Sequence, residues 1–167
     1  MKKEEYDIAI QKADYKDLPI ILEIQKTAFL EEAKFYNDYK IAPLTQSLDE
    51  IQKDYQDHLF LIATYLNQIV GSVKLREQDL SCWIGRLIVS LEFQNKGIGR
   101  KLLMEAEKHC PTAKEFILFT GSQSTKNIRL YESIGYKKVE EYADKNNPDL
   151  LLVKMIKNIR STPMLSQ

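Results

Sequence analysis

Apolar residues recur along this chain with two different periods, and the switching between them sketches a series of strands and helices. Residues 7–12 set Ile8 and Ile10 between polar neighbours, the period of a half-buried strand. Asp17 and Pro19 then mark a helix start, and Leu18, Ile21, Leu22, Gln25 and Phe29 follow at helical spacing. Residues 47–56 predict a second helix, with Ser47 as N-cap and Glu50 as its capping-box partner. The apolar, β-prone run 59–66 turns at Asn67-Gln68 into residues 69–76, a hairpin. Residues 80–89 are the next strand.

A polar turn with two glycines follows and runs straight into a helix. Ile98, Leu102, Leu103, Ala106 and Cys110 share one face of it, Arg100, Lys101, Glu105 and Lys108 lie largely outside, and Pro111 stops it. Residues 115–120 (Phe116, Ile117, Leu118, Phe119) are almost continuously apolar, as a strand covered on both faces should be. Residues 124–133 predict a helix ended by Ile134-Gly135. The last strands, 136–142 and 150–156, flank the polar turn 144–149. Residues 161–167, with Pro163, read as a flexible tail, which leaves 1–160 as a single domain.

Composition narrows the class. The 167 residues are 44% hydrophobic and 29% charged, the balance of a globular protein large enough to bury a core. Lys plus Arg and Asp plus Glu both number 24, so no global field favours nucleic acid or an anionic membrane. The opening Met1-Lys2-Lys3-Glu4-Glu5 is too charged for a signal peptide, and no apolar run reaches membrane-spanning length. Cys82 and Cys110 lack metal-ligand spacing and are expected to be buried and reduced, with a cytoplasmic location as the default.

The chemistry gathers at the glycine turn. The first amides of a helix have no intrahelical partner, and the dipole there favours negative charge. Gly97 and Gly99 remove the Cβ atoms that would hold a phosphate away from such amides, and Lys96, Arg100 and Lys101 add positive charge nearby. A dinucleotide fingerprint needs a third glycine where Leu102 stands, and a P-loop needs a different spacing followed by Lys and Ser or Thr. Gln94-x-x-Gly97-x-Gly99, preceded by Leu87-x-Val89, instead resembles the coenzyme A signature of the GNAT N-acetyltransferase superfamily. Asn127-x-x-x-Tyr131 followed by Gly135-Tyr136 is similar to that family's second conserved region. The element order β-α-α-β-β-β-α-β-α-β-β extends the likeness over nearly the whole chain.

The resemblance implies an α/β (α+β) GNAT fold: a mixed central sheet of about seven strands with helices on both faces. It implies an acyltransferase that moves an acetyl group from acetyl-CoA to a primary amine, by direct attack in a ternary complex and with no metal. The diphosphate would rest on the amides of Lys96, Gly97, Ile98, Gly99 and Arg100, with Gln94 at the turn. The pantetheine arm would pair with Leu87 and Val89 where that strand parts from the next, and Asn127 would touch the cofactor. Tyr131 would protonate the departing thiolate, and a backbone N–H near Val89 would polarise the thioester. A core aromatic with a local hydrogen bond is the alternative for Tyr131.

Three positions depart from the family. Trp83 stands where some members carry a glutamate base, Leu91 replaces a frequent proline, and Asn95 a frequent glycine. Glu77, Asp79, Glu92 and His58 remain as titratable groups near the predicted site, with none singled out as the base. For His58 and His109, solvated or capping roles are the simpler expectation. Glu31, Glu32 and Phe35 lie in the segment that frames the acceptor in this fold, either as a cradle for a small cationic or lysine-like amine or as a solvated helix face. The other functional reading is a non-catalytic module that binds acyl-CoA or a protein partner. A monomer or homodimer, with neither nucleic acid nor membrane as partner, completes the expectation.

Overall fold

The computed structural model describes residues 5–159, so the tail expected at 161–167 lies outside the described residues. Seven strands form one mixed sheet in the order β1-β2-β3-β4-β5-β7-β6. They are β1 (Ala9–Lys12), β2 (Leu59–Tyr65), β3 (Gln68–Gln78), β4 (Ser81–Val89), β5 (Glu115–Gly121), β6 (Lys137–Ala143) and β7 (Leu151–Asn158). The helices are α1 (Leu18–Tyr36), α2 (Ala42–Thr45), α3 (Leu48–Asp57), α4 (Ile98–Lys108) and α5 (Thr125–Ile134). β4 pairs parallel with β5, and the β1–β2, β2–β3, β5–β7 and β6–β7 pairs are antiparallel. The chain divides into two compact units, Met1–Arg76 with Ile84–His109, and Glu77–Trp83 with Cys110–Gln167.

In the first unit helices cover the sheet on both sides. Ala13, Leu18, Ile21, Leu22 and Ile51 from the α1 and α3 side form one cluster with Phe60, Ile62 and Ile88. The intervening positions Leu61 and Ala63 are fully buried on the opposite face, because side chains alternate along a strand. α4 packs on that face with Ile98, Leu102, Leu103 and Ala106 buried. Gly71 makes the close approach possible, since a Cβ there would sit 2.8 Å from the Ile88 carbonyl and 3.1 Å from Leu102 Cδ1.

Local chemistry sets the element ends. Ser47 Oγ accepts from the Glu50 amide while the Ser47 amide donates to the Glu50 carboxylate, the capping box expected from sequence. The hairpin turn falls one residue earlier than expected, at Leu66 and Asn67, both left-handed. A two-residue loop whose twist matches the strands needs two such residues; Asn67 tolerates that region, and Leu66 rather than Gln68 shares it because Gln68 pairs with Tyr65. α1 runs to Tyr36, and α2, absent from the sequence reading, starts beside Pro43.

A polar network ties α1, α2, α3 and β3 together inside the first unit. Lys74 Nζ lies 2.7 Å from Asp54 Oδ2, which also accepts from Gln46 at 2.8 Å. Gln46 accepts in turn from Gln25, whose amide also donates to the Pro43 carbonyl. Burial pushes the Asp54 carboxyl up, but the Lys74 bond and charge and the Gln46 bond outweigh it and hold it below its ordinary 3.8. Burial lowers the Lys74 ammonium, with Asp54 opposing that shift.

In the second unit, Phe116, Ile117 and Leu118 of β5 and Val153 and Met155 of β7 are buried, with Ile128 and Tyr131 of α5. Gly135 ends α5 in the left-handed region at φ 112°, as its position predicts. Cys82 and Cys110 are buried as expected, but the reduced state is overturned: the two sulfurs are joined as a disulfide. β4 and the segment after α4 bring their Cα atoms to 6.2 Å, within disulfide range, a proximity that a separation of 28 residues does not reveal.

Two predictions follow from the packing. Gly71→Ala drives a Cβ against a main-chain oxygen that cannot rotate away and is expected to cost about 1–3 kcal/mol in a denaturant titration; an unchanged midpoint contradicts the close approach. Asp54→Asn strands the Lys74 charge and is expected to cost about 2 kcal/mol at pH 7, below the range for fully buried pairs. Because the folded Asp54 value is depressed, its contribution is complete above 3.8 and fades as pH falls through the folded value. The deficit of the variant should therefore shrink in acid; an equal deficit at pH 7 and pH 3 contradicts the assignment.

Candidate functional site

The turn from β4 into α4 is built by its own backbone. The Ser90 amide bonds to the Val70 carbonyl at 2.8 Å, and one turn of 3-10 helix, Leu91–Phe93, carries the chain round. Gln94 Nε2 donates to the Val89 carbonyl at 3.1 Å and closes the loop on the strand it left. Asn95 and Gly97 are both left-handed, at φ 63° and 81°. Asn tolerates that region and replaces the family's frequent glycine without breaking the turn. Gly97 is the α4 N-cap, and a Cβ on it would meet nothing within 4 Å, so the space beside it is open.

α4 begins its hydrogen-bond ladder at the Lys101 amide, which bonds to the Gly97 carbonyl at 3.1 Å. The amides of Ile98 and Gly99 precede that first bond, at the positive end of the helix dipole. Ile98 itself is buried and anchors this first turn against the sheet. The Lys96 ammonium lies 4.7 Å from the Tyr6 ring centroid, and Tyr6, Tyr65 and Phe93 pack as three mutually contacting rings. Lys96 thus brings its amide to the turn while its side chain sits on Tyr6. Arg100 and Lys101 are exposed in the same first turn.

β4 is irregular where the signature begins. Its ladder with β5 consists of Ser81↔Glu115, Cys82↔Phe116 and Trp83↔Ile117, so Leu87 and Val89 lie beyond that register. Arg86 is left-handed at φ 49° inside the strand, a rare conformation for a side chain of its size. Its guanidinium is largely enclosed, and its Nε is a buried donor with no hydrogen-bond partner among the described residues. Burial pushes the Arg86 value down, against the charges of Asp54 and Glu32.

The remaining predicted residues fall in different settings. On α5, Asn127 is exposed, and Tyr131 one turn later is buried with its ring edge-on to Tyr136 at 6.2 Å. On α1, Glu31 pairs with Lys34 at 3.1 Å, and Phe35 is 64% exposed against Tyr36. Glu32 is half-buried, and its charge acts on Arg86, which makes it the acidic candidate tied to β4. His58 is lowered by burial and by Lys74, and its Nδ1 lies 3.1 Å from the Asp54 carbonyl at the end of α3. Trp83, at the family's glutamate position, stacks on Phe119 at 5.9 Å with Lys154 over its ring. Sequence reasoning missed Arg86 and the Trp83 stack. The strand pattern exposed Trp83 to view, whereas nothing in it marked a left-handed arginine.

Among the described residues, no group of three or more His, Cys, Asp or Glu could hold a metal ion, and no helix is long and apolar enough to cross a membrane. The nearest chemistry is that of an anion at a helix N-terminus, beside a strand whose parallel ladder has ended.

The chain is similar to known proteins over most of its length. The family model described as an acetyltransferase (GNAT) domain matches residues 15–159. The Bacillus subtilis UPF0157 protein YqkA is 26% identical over 120 residues, which are 72% of this chain and 34% of that protein, so the chain spans about a third of that relative's length. Among solved structures, the PaiA N-acetyltransferase from Thermoplasma acidophilum in complex with coenzyme A superposes with a TM-score of 0.68 at 24% identity, covering 92% of this chain and 99% of that one. The ribosomal-protein-S18-alanine N-acetyltransferase from Escherichia coli gives 0.72 at 16% identity, covering 96% and 99%. With the family model covering all but the ends of the sequence, this chain belongs to the GNAT acetyltransferase family.

Proposed function

We propose that this protein is an N-acetyltransferase that carries an acetyl group from acetyl-CoA to a primary amine. The observation that carries the reading is the α4 N-terminus: a left-handed Gly97 opening onto empty space, ahead of the Ile98 and Gly99 amides. A diphosphate accepts hydrogen bonds from such amides and gains from the dipole behind them. Gln94 fits the role of a brace, since its bond to the Val89 carbonyl fixes the turn that presents the amides. Leu87 and Val89, past the three-pair ladder, offer main-chain groups to the amides of a pantetheine arm. The bound coenzyme A in the Thermoplasma relative supports the choice of cofactor.

In this reading the acceptor amine attacks the thioester carbon, and a tetrahedral intermediate forms with negative charge on oxygen. A backbone N–H on β4 near Val89 stabilises that oxygen. The intermediate collapses by breaking the carbon–sulfur bond, and Tyr131 gives its phenolic proton to the departing sulfur. The amine loses its own proton to solvent or to a base outside position 83, because the Trp83 indole has no basic lone pair to accept it. Asn127, one helical turn before Tyr131, supports the cofactor. The acceptor is a small cationic amine or a lysine-like or peptide amine, with Glu32 the acidic residue best placed to receive it. The opposing reading, a module that binds acyl-CoA without turnover, is favoured by the tryptophan at position 83 alone.

Thiol release from acetyl-CoA across a panel of amines separates the two: amine-dependent release supports transfer, and tight binding without release across the panel favours the module. Tyr131→Phe is expected to lower kcat about 100-fold while the Kd for acetyl-CoA changes little; an unchanged kcat removes the proton-donor role. Gly97→Glu places a carboxylate in the diphosphate's space and is expected to weaken coenzyme A binding by at least about tenfold, with circular dichroism unchanged; equal affinity contradicts the cradle.

A further inference from the structure

Arg86 has no part in the reaction as described, yet three unusual features meet on it. It holds a left-handed backbone in the middle of a strand, a conformation that costs energy for a non-glycine residue and tends to persist where function retains it. Its guanidinium is largely enclosed, on the strand that continues into the glycine turn. Its Nε is a buried donor that no acceptor among the described residues satisfies, and such a group is destabilising until something bonds to it.

The neighbouring charges do not remove the need. Asp54 Oδ2 is already held by Lys74 and Gln46, and with Glu32 it acts on Arg86 through its field. Lys74 on the adjacent strand adds a second positive charge. The first unit thus brings two cations, Lys74 and Arg86, and two carboxylates, Asp54 and Glu32, to one place, with the Arg86 Nε unfilled among the described residues.

We propose that Arg86 binds a carboxylate carried by the acceptor, so that the preferred substrate is an amine bearing a carboxylate, as in an amino acid. The proposal rests on the acetyl-transfer reading above. With the diphosphate at Gly97 and the pantetheine arm on Val89 and Leu87, the thioester lies toward Arg86, the next residue down the strand. An acceptor that reaches the thioester meets Arg86 on β4 and Glu32 on α1. Its ammonium form is drawn by Glu32 before deprotonation, and its carboxylate takes the Nε–Nη edge as a two-pronged acceptor. Nε is shielded from water, so the carboxylate displaces the side chains that cover it, and binding involves a local rearrangement.

The test uses pairs of acceptors that differ by the carboxylate alone: ornithine with putrescine, lysine with cadaverine, phenylalanine with phenethylamine. Wild-type protein should favour the carboxylated member of at least one pair by about tenfold or more in kcat/KM. Arg86→Gln should bring that ratio close to one, mainly by raising KM for the carboxylated member, and Arg86→Lys should keep part of it. Calorimetry of the carboxylated member against protein saturated with coenzyme A gives a second readout, with affinity lost in Arg86→Gln. Equal use of both members by the wild type, or equal losses on both in the variant, overturns the role of Arg86 while acetyl transfer stands. Absence of acetyl-CoA binding defeats the transfer reading itself, and the Arg86 proposal with it.

Discussion

The hydrogen bond from Gln94 to the Val89 carbonyl, with left-handed Asn95 and Gly97 beside it, is the constraint on which the proposed site depends. It converts the end of a strand into the start of a helix within eight residues. The conversion leaves the Ile98 and Gly99 amides ahead of the first helical bond from Lys101, with open space beside Gly97. Gly71 makes the arrangement rigid from below, because it lets α4 lie close on the sheet through Leu102 and Ile98. A helix held at that depth keeps its first turn fixed relative to Val89. In the proposed reading, a strand and a helix locked together in this way give a preorganised anion site with no charged side chain required at its centre.

Much of this was legible in the sequence because it is local. The Ser47–Glu50 capping box, the Gly135 helix end and the paired glycines each depend on residues within one turn of one another. The apolar periods located all seven strands for the same reason. What the sequence hid is non-local. The hairpin slid by one residue to Leu66–Asn67 because strand twist, rather than the polarity of Asn67-Gln68, selects the turn. α1 ran on to Tyr36 through a segment whose mixed aromatics and acids have no clean period.

The same distinction separates the predicted site residues. Gln94, Gly97, Ile98 and Gly99 occupy the turn that their spacing implied. Among the acidic candidates, Glu31 turned out to face Lys34 within its own helix, while Glu32 acts on Arg86 from another element. Arg86 could not be read from sequence: its left-handed backbone and unsatisfied Nε are products of the fold around it. The Cys82–Cys110 bond belongs to this class too, since it joins the start of β4 to the segment just after α4. Two thiols that look isolated along the chain are neighbours across it.

The central claim is that main-chain amides at the start of α4 hold a diphosphate, and calorimetric titration with two ligands tests it most directly. Coenzyme A and pantetheine share the thiol-bearing arm, but pantetheine has no diphosphate. The account predicts one-to-one binding of coenzyme A and weaker binding of pantetheine by about 100-fold or more. Equal affinity for the two, or no heat with coenzyme A, would contradict it.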